Sequence, residues 1–199
     1  MKKLHGVGIS LFLLVFIIAQ SAFAAVREWE VDSAHSNVYF SVDHIFSKIQ
    51  GHFNQFTARV NFDPANLKES RFLFEMKVDS IDTGNGKRDK HLLSADFFDA
   101  GKYPLITFES KTITEVGNGV YALAGKLNIK GKEYDLTLPL TLAGIKDHPA
   151  VQGKQVVGFN GKIPVDRLAL GVGDEKFYKM GIVGKDVEVF VSLEALSAK

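Results

Sequence analysis

The sequence contains no cysteine. That single absence excludes disulfide staples, thiolate nucleophiles, zinc–sulfur sites and a lipidated cysteine at a processing site. The fold must therefore rest on apolar packing alone. A phosphate-binding loop is missing too: GVGDEK (Gly171–Lys176) is glycine-rich, but it has neither the Walker spacing nor a strand-to-helix setting. No basic stripe exists, because the lysines are scattered and the formal net charge is only +1. Nucleic acid is thus not an expected partner. Internal repeats and low-complexity tracts are absent as well.

Two acid–base groupings occur, RDKH (Arg88–His91) and Asp166–Arg167, and neither includes a nucleophile. No catalytic residue, metal or cofactor is expected, and the chain is not expected to be an enzyme. The simplest role for Arg88 and His91, at i and i+3, is to clamp a helix over one end of the fold.

What is present begins with a targeting signal. Lys2 and Lys3 precede the apolar run VGISLFLLVFIIA (Val7–Ala19), and QSAFA then offers small residues at Ala22 and Ala24. This is the pattern of a secretory signal peptide over residues 1–24, cleaved after Ala24. The run falls short of the ~20 residues that span a bilayer. Losing Lys2 and Lys3 takes the net charge from +1 to −1. A single domain over residues 25–199, exported by the Sec route and free in the periplasm, is the expectation.

Beyond residue 25 the apolar period is two almost everywhere. Val38, Phe40, Val42, His44 and Phe46 fall on one parity, and Tyr39, Ser41 and Asp43 on the other. Similar alternation runs through 56–62, 72–78, 106–109, 121–129, 134–142, 157–165 and 187–195, with a short opening strand EWEV (Glu28–Val31). SKIQG (Ser47–Gly51) is expected to be a turn, and Pro139 to mark an edge or a bulge. Strands with one apolar and one polar face belong to antiparallel sheets, so the chain is expected to be an all-β barrel or sandwich. The interruption at 84–104 predicts a short helix with Asn85 as its cap. The glycine-rich stretch 168–184 is expected to form a flap.

The histidines invite a metal reading that the spacing does not demand. His35 and His44 are an odd number of residues apart, so in one strand they would face opposite sides. His44 and His52 would have to converge through a turn. A metal-dependent hydrolase built on His35, His44 and His52 is carried as the alternative function.

Several motifs together resemble the YceI family. WEVDSAHSNVYFSVDHIFSKIQGHF (Trp29–Phe53) is similar to its opening signature, and SIDTGNGKRDKHLLSADFFDAGKYPLITFES (Ser80–Ser110) to its second and most specific. GKLNIKGKEYDLTLPL (Gly125–Leu140), DRLALGVG (Asp166–Gly173) and KDVEVFVSLEA (Lys185–Ala195) follow in the right order. The chain departs from that pattern at Leu168–Leu170, where an acidic residue and an aromatic are common. The resemblance implies an elongated eight-stranded antiparallel lipocalin-like barrel with a short helix capping one end. It also implies a periplasmic protein without catalytic residues, which binds polyisoprenoids, quinone precursors or fatty-acid-like lipids, in a family where homodimers occur.

Combining parity with this resemblance gives an expected ligand-binding set. Phe40, Val42, Phe46, Phe56, Phe72, Phe74, Phe108, Leu136, Leu138 and Phe159 would line a tunnel. His44, or Arg88 and His91, would meet the polar head.

Overall fold

The structure, a computed structural model, describes residues 26–199. The expected signal peptide and its cleavage site lie outside the described residues. The strands are β1 (Glu28–Val31), β2 (Asn37–His44), β3 (Ser47–Phe53), β4 (Phe56–Asn61), β5 (Arg71–Lys77) and β6 (Ile81–Asp82). Helix α1 (Gly86–Leu93) follows, then β7 (Leu105–Gly117), β8 (Val120–Ile129), β9 (Lys132–Asp147) and β10 (Lys154–Asp166). A single turn, α2 (Lys176–Lys179), precedes β11 (Val183–Ala198). Among the described residues no helix is long and apolar enough to cross a membrane.

Eight antiparallel strands close the barrel, in the order β1, β4, β5, β7, β8, β9, β10, β11. The last returns to the first through Glu30↔Leu196 and Val31↔Ala195. β11 serves two neighbours on the same side, β1 at its C-terminal end and β2 over the rest, from Ser192↔Asn37 to Val187↔Val42. Between β1 and β2 the ladder breaks, and Ser36 fills the break. Its hydroxyl accepts from the Glu194 N–H (3.0 Å) and donates to the Glu194 carbonyl (3.1 Å), so a side chain replaces the missing strand backbone. β3 and the two-residue β6 extend the wall beyond β2.

The segment Ser47–Gly51 is strand, not the expected turn. The chain reverses instead at Ile45 and Phe46, where Ile45 takes a left-handed φ of 53° and donates its N–H to the Ile182 carbonyl (3.0 Å). Parity cannot continue through that reversal. Phe46, expected inside, is consequently fully exposed. Pro139 stands where the β9–β10 ladder stops, one residue before the last pair, Leu140↔Gly161. Residues Lys132–Pro139 therefore pair with β8 alone, which agrees with the expected edge.

The interior has a solid half and a hollow half. At the β1 end, Phe62 packs edge-to-face on Tyr121 (5.1 Å between centroids) and Phe159 (5.0 Å), and Phe72 packs likewise on Phe159 (5.3 Å). Each such pair adds ~0.5–1.5 kcal/mol beyond the area buried. Trp29 joins the cluster's rim and donates its indole N–H to the Phe62 carbonyl (2.9 Å). This aromatic plug leaves no room for a ligand. The hollow half lies toward α1.

Candidate functional site

Helix α1 is held over the hollow end by specific hydrogen bonds. Asn85 caps it, accepting from the N–H groups of Lys87 (3.1 Å) and Arg88 (3.2 Å). Arg88 donates through Nε to Thr83 Oγ1 and through Nη2 to the Thr83 carbonyl, both at 2.7 Å. Asp89 accepts the Thr83 N–H at 3.0 Å. Leu92 of the helix, and Phe97 and Phe98 after it, reach the interior.

Below them is a cavity of about 210 Å³. An engineered apolar cavity of ~150 Å³ already takes up benzene, while pockets for whole drug-sized ligands span roughly 300–1,000 Å³. The space as it stands thus suits a segment of a chain rather than an entire large molecule. Its walls are apolar side chains, apart from Tyr39 and Arg167. Away from Arg167, water gains little in such a space, because it has almost no polar partners there.

Phe40, Val42, Phe74, Phe108, Leu136 and Leu138, all expected inside, are in the cavity wall. The other expected residues stand elsewhere. Phe72 and Phe159 are buried in the plug, since inward parity says nothing of height along the barrel. Phe56 is half-buried and stacks on Phe74 (6.0 Å), behind the wall rather than in it. Phe46 is out in solvent. None of the three expected head-group residues lines the cavity: Arg88 is engaged with Thr83, and His91 bonds Asp96 (3.2 Å) and packs on Phe97 (5.0 Å). His44 sits at the end of β2, paired with Ser47 beside the reversal.

Sequence reasoning missed other wall residues. Val187, Val189 and Val191 of β11 and Ile163 and Val165 of β10 carry the same alternation, but as aliphatic residues they do not stand out from other inward-facing strand positions. Phe53 ends β3, most of which the sequence pattern reads as the turn Ser47–Gly51, so its parity is not visible there. The most consequential omission is Arg167, buried at 5% exposure in the cavity wall. It donates through Nε to the Gly184 carbonyl (2.8 Å) and through Nη1 to the Val172 carbonyl (3.0 Å). Burial pushes the guanidinium below its ordinary value, with Asp166 and Asp174 opposing, yet arginine remains a cation in proteins. These bonds also tie down both sides of the segment expected to be a flap.

The three histidines are not brought together. Tyr39 is opposite His52 and Ser47 opposite His44, so the two histidines are five residues apart along the hairpin, about 16 Å at strand rise. His52 bonds Asn54 (3.0 Å), and His35 bonds Asp32 (2.8 Å) before β2 begins. Among the described residues one set could converge on a metal, Asp32, His35 and Glu194, and it contains neither His44 nor His52. The geometry for the alternative hydrolase is therefore missing.

Comparison with known proteins gives a consistent picture. The model of the YceI-like domain matches residues 29–195. A UPF0312 protein of Vibrio cholerae is 31% identical over 172 residues, covering 86% of this chain and 88% of that one. A UPF0312 protein of Yersinia pestis is 30% identical over 195 residues, 96% of each chain. Among solved structures, Burkholderia cenocepacia BcnA superposes with a TM-score of 0.74 at 32% identity, covering 83% of this chain and 99% of its own. A polyisoprenoid binding domain from Saccharophagus degradans shares the fold at a TM-score of 0.61 and 12% identity, covering 87% and 99%.

Proposed function

This chain belongs to the YceI-like family, and from that premise we propose that it is a periplasmic carrier for a long-chain amphiphile. The class of ligand is a polyisoprenoid, a quinone precursor or a fatty-acid-like lipid. The observation that carries the reading is the apolar cavity, walled on one side by Phe40, Val42 and Val187 and on the other by Phe108 and Leu138, with a plug beneath it. Burying a methylene is worth ~0.8 kcal/mol, so about ten carbons would supply ~8 kcal/mol gross. Association and chain ordering take back several kcal/mol. A tail alone can thus provide useful affinity, and no nucleophile or metal is required for holding and releasing it. The Saccharophagus likeness adds only that a barrel of this shape is compatible with such cargo.

Export is supported by the signal-like residues 1–24. The ladder-free seam between Lys132–Pro139 of β9 and the end of β10 supports reversible loading, since separating those strands there breaks no backbone pair between them.

The test is organic extraction of the purified protein followed by lipid mass spectrometry. A co-purifying long-chain lipid, or one acquired on incubation, is expected. No lipid in the extract and none taken up would overturn the proposal. Native mass spectrometry of the same sample reports whether the carrier is a homodimer.

A further inference from the structure

The cavity wall holds a charge that, among the described residues, is hydrogen-bonded to no carboxylate, although Asp166 and Asp174 act on it through space. Arg167 is nearly fully buried in a wall of hydrocarbon, and all its hydrogen-bond acceptors are backbone carbonyls. Two of those bonds are short, to Gly184 and Val172. The other two, from Nη1 to the Asp174 carbonyl and from Nη2 to the Val183 carbonyl, stretch to 3.5 Å. At that length they are at the margin of a hydrogen bond. Nη2 therefore has one marginal acceptor for two N–H groups.

Neighbouring carboxylates are committed elsewhere. Asp166 binds Lys185 Nζ (2.9 Å) and accepts the Leu168 N–H (2.9 Å). The side chain of Asp174 accepts the Lys176 N–H (2.9 Å) and shows Arg167 only its main chain. Carbonyl dipoles satisfy donors, but they do not neutralise a buried cation, which is costly without a counter-charge. The guanidinium is also fixed in place. A Cβ at Gly173 would stand 2.6 Å from Nη1 and 2.9 Å from Phe97 Cε1, so glycine is what lets the loop close around it.

We propose that the amphiphile held by this cavity carries an anionic head, a carboxylate or a phosphate, and that Arg167 is its counter-ion. The proposal rests on the carrier reading above and names the head group it leaves open. A planar guanidinium with unsatisfied N–H groups matches both anions and can bind them through two parallel bonds. The head would lie beside Phe97 and Val172, and the tail would run along Leu138 and Phe108 toward the plug.

The experiment compares one chain length with three heads on the delipidated full protein: hexadecanoate, hexadecyl phosphate and hexadecanol, by displacement of a fluorescent fatty alcohol. Both anions are expected to bind about tenfold or more tightly than the alcohol, the scale of one charged hydrogen bond. The tighter of the two identifies the head. In Arg167→Met both anions are expected to fall to the level of the alcohol. Equal affinity for all three on the wild type overturns the proposal while leaving the carrier reading intact, and so does a preference that survives in a folded Arg167→Met. If that variant does not fold, the wild-type series decides alone. Failure of all three ligands and of a long-chain polyprenol to bind at all would remove the carrier reading and this inference together.

Discussion

The ring of Phe40 lies across Gly51, its partner on the neighbouring strand. A Cβ at position 51 would collide with Phe40 Cζ and stand 2.9 Å from the Asp82 carbonyl. Glycine is therefore required here for space, not for an unusual backbone angle. It lets an aromatic side chain in the cavity wall fold over the hairpin it belongs to.

Gly51→Ala must displace either that ring or the β6 backbone behind it. Overpacking of this kind typically costs 1–3 kcal/mol, and a loss of about that size is expected in urea unfolding. Because Phe40 is itself a wall residue, cavity occupancy by a lipid probe should change in the folded variant. A stability loss under about 0.5 kcal/mol, with unchanged uptake, would show that the ring is free to move aside.

The two halves of the interior should respond differently to truncation. Phe159→Ala empties the centre of the aromatic plug, where Phe62 and Phe72 both lean on the lost ring. About 3–5 kcal/mol of destabilisation is expected. Leu138→Ala borders existing void, and its cost should fall near 2 kcal/mol, the low end for a leucine. Bound lipid per folded molecule should drop for Leu138→Ala and hold steady for Phe159→Ala. The reverse pattern would place the ligand in the plug.

Those two substitutions also mark the limit of what alternation reveals. Phe72 and Phe74 are two residues apart with identical inward parity, yet one is plug and the other cavity wall. Parity follows from the pleat and is local. Height along the axis depends on strand stagger around the whole ring, which no single segment encodes. The antiparallel barrel and the Asn85-capped helix were legible because each rests on local periodicity or capping. The β2–β3 reversal was not, since Ile45 adopts a left-handed conformation that a β-branched residue rarely takes, held by a bond to the distant Ile182. Arg167 was visible as half of an acid–base pair with Asp166. Only the fold shows that Asp166 binds Lys185 and that the arginine turns inward among carbonyls.

Ser41 offers a sharper test of the wall's outer side. Its hydroxyl is buried and, among the described residues, has no hydrogen-bond partner. A buried polar group without a partner costs its desolvation, so removing it loses nothing. Ser41→Ala is expected to be neutral or stabilising by up to about 1 kcal/mol in thermal unfolding. A destabilisation of more than 1 kcal/mol would mean that the hydroxyl has a partner in solution, most simply an ordered water.

The Asp32–His35 pair sets the last expectation. The two are bonded at 2.8 Å just before β2. That bond raises the His35 value above the ordinary imidazole and lowers Asp32 below the ordinary carboxyl. For His35, the contribution to stability is complete below the unfolded value of ~6.5 and disappears as pH rises through the folded one. For Asp32 it is complete above ~3.9 and disappears as pH falls through the lowered folded value. The pair thus acts fully between about pH 4 and 6.5 and weakens on either side. An NMR titration of the His35 ring should give a midpoint above ~6.5 in the wild type and a lower one in Asp32→Asn, where the Asp32 bond is lost and only the weaker pull of Glu194 remains. A wild-type midpoint at or below that value, unmoved by the substitution, would show that the two side chains do not pair in solution.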